Sequence, residues 1–182
     1  IVVIGANPTS NHPVAASFIK NAAANGAEVI GIDPRRNALE HYASHYLQFS
    51  PGSDVALLNG VLHVIIEEEL YDRQYVEAQT EGFEALAEHI RAFTPEKMSH
   101  LCGIDSEKIK IVARKIARAK AAMIFWGMGI AQSTHGTDNA RCLIALALIC
   151  GQVGRPGAGL HPLRGQNIVQ GASDAGLIPM MY

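Results

Sequence analysis

Five short stretches gather the residues able to bind a polar or anionic ligand. "GANPTSNHP" carries Asn7, Ser10 and Asn11 just after a glycine, and "IDPRRN" carries Asp33, Arg35 and Arg36. "SPGSD" carries Gly52 and Asp54, and "WGMGIAQSTHG" carries Gly127, Met128, Gly129 and Gln132. "HPLRGQNIVQG" sets one arginine, Arg164, beside Gly165 and Gln166. Glycine lets a main chain come close to a ligand, and backbone N–H groups at helix starts favour phosphate. An acid at the end of a second strand suits a ribose hydroxyl, and an arginine beside it suits a phosphate or a base. Each stretch also has a plain structural reading. Asn7, Ser10 and Asn11 can close a local Asx-turn network. Asp33 with Arg35 or Arg36 can be a surface ion pair, and Asp54 can be a helix N-cap. The sequence "GANPTSNHP" is not GxGxxG, so the usual dinucleotide fingerprint is missing.

The first four stretches each follow an apolar run. "IVVIG", "AEVIGID", "HYLQF" and "AMIFWG" read as short buried strands. "VAASFIKNAAANG" after Pro13 and "SDVALLNGVLHVIIEEEL" show helical spacing; Ser53 or Asp54 is the cap of the second, and His63 within it is expected to pack. From Tyr71 to Lys120 the chain is charged and helical, with stops at Gly82, Pro95 and Gly103 and a cap at Asp105 or Ser106. "STHGTDNARCLIALALICGQVG" is a further helix, and "RPGAGLHPLRGQNIVQGASDAG" a long glycine-rich loop. His135 lacks a partner at ligand spacing and reads as structural, and His161 as loop packing. Alternating strands and helices imply a parallel sheet with right-handed crossovers. Loops Ala6–His12, Asp33–Asn37, Ser50–Asp54 and Gly127–Gly136 would then share its carboxyl edge, where open α/β sheets bind ligands.

The 182 residues suffice for one domain with a real core, and 48% apolar with 18% charged residues excludes a disordered chain. A formal charge of −2 gives no footprint for nucleic acid. Cys102, Cys142 and Cys150 form no CxxC pair, so no zinc or iron–sulfur site is expected within the chain; they read as small buried hydrophobes in a reducing compartment. No signal peptide is recognisable, and "CLIALALIC" is too short to span a bilayer. The chain starts on Ile directly at a strand, so it is expected to be an excised piece of a longer protein.

"GANPTSNHPV", "DPRR", "PGSDVALLNG", "EGFE", "WGMGIAQ" and "GQVGRPGAGLHPLRGQNIVQGASDAG" occur in the order seen in molybdopterin-dependent oxidoreductases. The chain resembles most closely the large (alpha) subunit of formate dehydrogenases, including the NAD-linked cytoplasmic form, over essentially its whole length. The resemblance implies a three-layer α/β/α, Rossmann-like domain over 1–182, holding mainly one of two molybdopterin guanine dinucleotides that share a molybdenum or tungsten atom. Asn7, Ser10 and Asn11 match the first cofactor loop, Asp33 and Arg35 the guanosine-side loop, and Gly52 and Asp54 the next loop. Gly127, Met128, Gly129 and Gln132 match the pterin-facing turn, while Gly165 and Gln166 carry the chain past the cofactor.

Arg164 matches the arginine that faces formate. A permanently charged fork binds a carboxylate at two points and so orients its C–H bond. By the same resemblance, the metal-binding cysteine or selenocysteine, its adjacent histidine and the 4Fe-4S cysteines lie upstream, and a C-terminal cofactor domain is also missing. The piece by itself is therefore expected to be inactive. In the parent, formate is oxidised to CO₂ and electrons leave through iron–sulfur clusters to iron–sulfur or flavin partner subunits, in the cytoplasm, without membrane contact from this piece. One departure is Ile168, where the family usually has Asn. Three other readings stay open: a sister enzyme acting on another substrate such as nitrate, a pterin-less electron-transfer subunit of respiratory NADH dehydrogenase, and a nicotinamide- or thiamine-diphosphate-type nucleotide domain.

Overall fold

In the computed structural model, which describes residues 1–165 and 169–177, five short strands form one parallel sheet. They are β1 (Val2–Ile4), β2 (Ile30–Ile32), β3 (His45–Leu47), β4 (Met123–Trp126) and β5 (Gly159–Pro162), in the order β3-β2-β1-β4-β5. In register, Val3 lies opposite Gly31 on one side and Phe125 on the other. Successive side chains leave a strand on opposite faces. Val2 and Ile4 accordingly join the larger core with Ile30, Ile32, Leu47 and Ile124, while Val3 joins the smaller one with Ile19, Val29 and Leu39. With both faces covered, the three central strands β1, β2 and β4 must be apolar at sheet-facing positions, which is why they read as unbroken apolar runs.

The smaller core is closed by α2 (Pro13–Ala24), which follows the one-turn helix α1 (Pro8–Asn11). The larger is closed by α3 (Asp54–Glu67), α7 (Ser106–Ala117) and α9 (Gly136–Ile149), with α4 (Arg73–Gln79), α5 (Phe83–Ile90) and α6 (Pro95–Cys102) around them. Leu57, Leu58, Val61, Leu62 and Ile65 give α3 its buried stripe. Gly60 lets α3 meet its neighbours, since a Cβ there would lie 3.2 Å from Met98 and 3.5 Å from Ile109. Of the expected stops, Gly103 ends α6 in left-handed backbone, whereas Gly82 and Pro95 open helices, Gly82 as the left-handed N-cap of α5 and Pro95 as the first residue of α6; Thr94 caps α6 and Asp105 caps α7. Ser53 holds the N-cap position of α3, but its hydroxyl donates to the Ser50 carbonyl at 2.6 Å instead of accepting from the helix, and Asp54 is the first helical residue.

Three expectations need correction. "ANPTSNHP" and "WGMGIAQ" are not wholly irregular: α1 and α8 (Met128–Ala131) form single turns there. Four residues are too few to leave a periodic apolar pattern. The glycine-rich tail contains β5 and α10 (Val169–Asp174). β5 hides because among the described residues it is an edge strand, paired on one side only, with Gly159 at φ +128° at its start and Pro162 at its end. An edge strand tolerates Pro and needs no apolar run. His161 is therefore a strand residue, its ring stacked on Phe125 with centroids 5.1 Å apart.

Candidate functional site

The chain runs from β1 outward to β2 and β3, then returns through α3–α7 to place β4 on the other side of β1. The strand order therefore reverses between β1 and β4, and open α/β sheets bind ligands at the carboxyl edge beside such a reversal. A cleft of about 660 Å³ lies there, within the roughly 300–1,000 Å³ usual for ligand sites. All four expected loops line it, joined by the segment after β5. Two other grooves are slightly larger, so volume does not single this one out. The groove at the amino edge is lined by Arg114 and Lys115, which already pair with Glu68 and Glu28. The third, between α3, α5, α6 and α9, is mainly apolar.

Asn7, Asn11, Asp33, Arg35, Gly52, Asp54, Gly127, Met128, Gly129 and Gly165 all line the cleft. Ser10 and Gln132 do not: the Ser10 hydroxyl accepts from the Asn7 amide at 3.1 Å, and Gln132 ends α8 facing solvent. Thr9 donates to Asn7 Oδ1 at 2.6 Å, so the first loop is both a self-bonded turn and a cleft wall. Arg164 is exposed between two lining residues, Leu163 and Gly165. Gln166 and Ile168 lie outside the described residues.

The structure separates the two arginines of "DPRR". Arg36 donates to Gln48 at 3.2 Å and pairs with Glu40 at 3.6 Å. Arg35 faces the cleft and has no ion pair among the described residues. Its turn is held from below, where the Tyr46 hydroxyl donates to the Arg35 carbonyl at 2.7 Å and the Gln48 amide to the Pro34 carbonyl at 3.1 Å. Asp33 Oδ1 accepts from the Arg35 backbone N–H at 2.8 Å. Burial pushes the Asp33 carboxyl above its ordinary range, against the lowering pull of that N–H and of the Arg35 guanidinium. Burial raises Asp54 too, with the charge of Asp33 adding to the effect. Tyr46 is pushed up to about 12, first by burial and then by Asp33. This corner of the cleft thus brings two half-buried carboxyls beside one cation.

The glycines of the second turn have a role that the sequence does not disclose. A Cβ on Gly129 would lie 2.7 Å from the Gly5 carbonyl oxygen, and one on Gly127 would lie 2.8 Å from the same atom. Gly5 itself has φ +57° and leaves 2.9 Å to the Ile130 nitrogen. The loops after β1 and β4 touch backbone to backbone, and the Gly129 N–H donates to the Gly5 carbonyl at 3.0 Å. These glycines close the floor of the crevice as well as lining it. Behind them buried Asn139 donates to the Ile130 carbonyl at 3.1 Å and the Ser133 hydroxyl at 3.0 Å.

Sequence reading had His12, Pro51 and Ser133 within the expected loops without singling them out, and missed Phe49 and Leu163 as lining residues. Phe49 and Leu163 supply apolar surface that looks like core, and nothing in "SNHP" separates His12 from its neighbours. His135 is exposed at the start of α9, and His63 bonds the Ile90 carbonyl at 3.1 Å. Cys102 and Cys150 are buried and Cys142 is half-buried, as expected of packing residues. No helix among the described residues is long and apolar enough to cross a membrane.

The chain is 43% identical over all of its residues to formate dehydrogenase H of Escherichia coli, covering 26% of that protein. It is 44% identical over its full length to the F420-dependent formate dehydrogenase subunit alpha of Methanocaldococcus jannaschii, covering 27% of it. A nitrate reductase of Synechocystis is 35% identical over 96% of the chain, which covers 25% of that protein. The chain thus spans about a quarter of the length of these curated relatives. Among solved structures, the acetylene hydratase of Pelobacter acetylenicus superposes with a TM-score of 0.80 at 29% identity, over 86% of this chain and 22% of that one. The family model for molybdopterin oxidoreductases matches residues 1–178, and with the full-length identities it establishes that the chain belongs to the molybdopterin oxidoreductase family.

Proposed function

We propose that the chain is the part of a formate dehydrogenase catalytic subunit that holds one molybdopterin guanine dinucleotide and presents the substrate arginine. The observation that carries this reading is the position of Arg164. It leaves the fifth strand between two residues that line the polar cleft, in a chain 43% identical throughout to a formate dehydrogenase. The donor set fits the cofactor. Asp33 and Asp54 offer carboxylate acceptors to the N–H edge of a guanine, and Arg35, which has no ion pair among the described residues, offers its cation to a diphosphate. Asn7 and Asn11 offer amides along the first loop, and the Gly127–Gly129 turn, with Met128, lets the pterin approach the main chain. When bound, the molybdenum or tungsten centre of that cofactor supplies two-electron redox chemistry.

The chain's own part is binding and orientation. The Arg164 guanidinium binds the formate carboxylate as a two-point fork and directs the C–H bond inward. It stays protonated throughout and transfers no proton. It favours the anionic substrate over neutral CO₂. Residues 1–182 act as one cofactor-binding unit, and iron–sulfur or flavin partners of the whole subunit carry electrons away in the cytoplasm.

The test is formate-dependent dye reduction by the full-length subunit, purified without oxygen, with Arg164 intact and as Arg164→Ala. Activity lost on substitution, with metal content unchanged, supports the reading. A metal-loaded enzyme that ignores formate refutes it. The similarity to a nitrate reductase favours one second reading, reduction of a different small anion at the same centre. Nitrate-dependent oxidation of a reduced dye distinguishes the two.

A further inference from the structure

Beyond Leu163, whose N–H donates to the Trp126 carbonyl at 2.7 Å, the Arg164 segment leaves the sheet. Among the described residues, the strand behind it would otherwise be all that holds the segment carrying this exposed guanidinium. One side chain reaches across the cleft to hold it too. His12 lies between α1 and α2, 152 residues away in sequence, and its Nε2 is 2.8 Å from the Arg164 carbonyl oxygen. Among the described residues, no other hydrogen bond reaches Arg164 or Gly165. A carbonyl only accepts, so the ring carries its proton on Nε2 and donates it. Among the described residues, Nδ1 is buried without a hydrogen-bond partner, so the ring's one contact there is through Nε2. His12 also lines the cleft, which places this link at the site itself.

We propose that His12 is a positioning residue: its Nε2–H fixes the main chain at Arg164 and so aims the guanidinium at the substrate. The inference rests on the role given to Arg164 above. It does not make His12 an acid, a base or a metal ligand. The link joins the first cofactor loop to the substrate segment, so the loop that lines the cofactor's cleft also sets the arginine.

The test uses the full-length enzyme with His12→Ala, His12→Gln, His12→Asn and Arg164→Ala. A Gln side chain can place an amide N–H near the position of Nε2, whereas Asn is too short. Loss of one neutral hydrogen bond predicts a rise in KM for formate of about three- to tenfold in His12→Ala and His12→Asn. kcat should change less than KM, and KM for the dye and metal content should not change. Hydrogen–deuterium exchange of the peptide 159–165 should quicken in both variants, and His12→Gln should restore exchange and KM together. If His12→Ala is too unstable to purify, the Gln–Asn pair carries the same comparison. Unchanged KM and exchange in His12→Asn, while Arg164→Ala loses formate binding, overturns the inference and leaves the proposed function standing. Loss of metal in His12→Asn also overturns it, by showing that the residue serves the cofactor loop as a whole. If Arg164→Ala keeps its KM for formate, the proposed function itself falls.

Discussion

Replacing Gly129 with Ala sets two opposing effects against each other. Gly129 lies inside α8 and has no positive φ, so Ala is conformationally allowed. In a helix, Ala is favoured over Gly by roughly 0.5–1 kcal/mol. Against this, the new Cβ would lie 2.7 Å from the Gly5 oxygen, 2.8 Å from its Cα and 3.0 Å from its carbonyl carbon. All three are main-chain atoms, and no side-chain rotation relieves them. Overpacking of this kind costs about 1–3 kcal/mol. The net expectation is a destabilisation of up to about 2.5 kcal/mol, with the floor of the crevice forced open. Gly165→Ala is the control, because a Cβ there meets nothing within 4 Å among the described residues and φ is not positive. Thermal melting of the full-length protein and its pterin content are measured for both variants. Gly129→Ala should melt earlier and retain less pterin, and Gly165→Ala should melt as wild type. A Gly129→Ala protein that melts at or above the wild-type temperature would refute the backbone-contact argument and return this glycine to a purely ligand-facing role.

Leu62, buried in α3, should lose about 2–5 kcal/mol as Leu62→Ala, whereas exposed Leu101→Ala should stay within about 0.5 kcal/mol by denaturant titration. Gln152 is buried and satisfies the Ala122 N–H at 2.9 Å and the Cys150 carbonyl at 3.0 Å. Gln152→Leu strands both groups and should lower stability by more than about 1 kcal/mol, a result that equal midpoints would contradict. Asp54 has a folded-state pKa above its unfolded value, so its contribution to stability is present at low pH and is lost as pH rises through the folded value. Asp54→Asn should therefore raise the melting temperature of cofactor-free protein at neutral pH, with the gain fading through the carboxylate range. Cys102 and Cys150 should resist alkylation in the folded protein at pH 8 and react once it is unfolded, because burial raises both thiols, Cys150 to about 12.

Strand runs, helix stops and the four loops at the carboxyl edge were legible in the sequence because each rests on local chemistry. A strand covered on both faces must be apolar throughout, and Gly82 and Gly103 mark helix boundaries through their own backbone angles. The polar types that line the cleft, Asn7, Asp33, Arg35 and Asp54, stand out for the same local reason. What depends on distance in the chain was not legible. β5 is a strand only because β4 lies beside it to supply hydrogen bonds. Arg35 and Arg36 are adjacent and identical in type, and only the positions of Gln48 and Glu40 decide which one the cleft keeps. Gly127 and Gly129 signal a close approach, but whether to a ligand or to Gly5 is decided by where β1 stands. His12 carries no mark at all until the fold brings the Arg164 carbonyl to within 2.8 Å of its ring. The sequence by itself determined the types of residue at the site and the elements that carry them. The tertiary structure alone decided which of those residues face one another, because a parallel sheet with a reversal between β1 and β4 gathers loops that lie far apart along the chain.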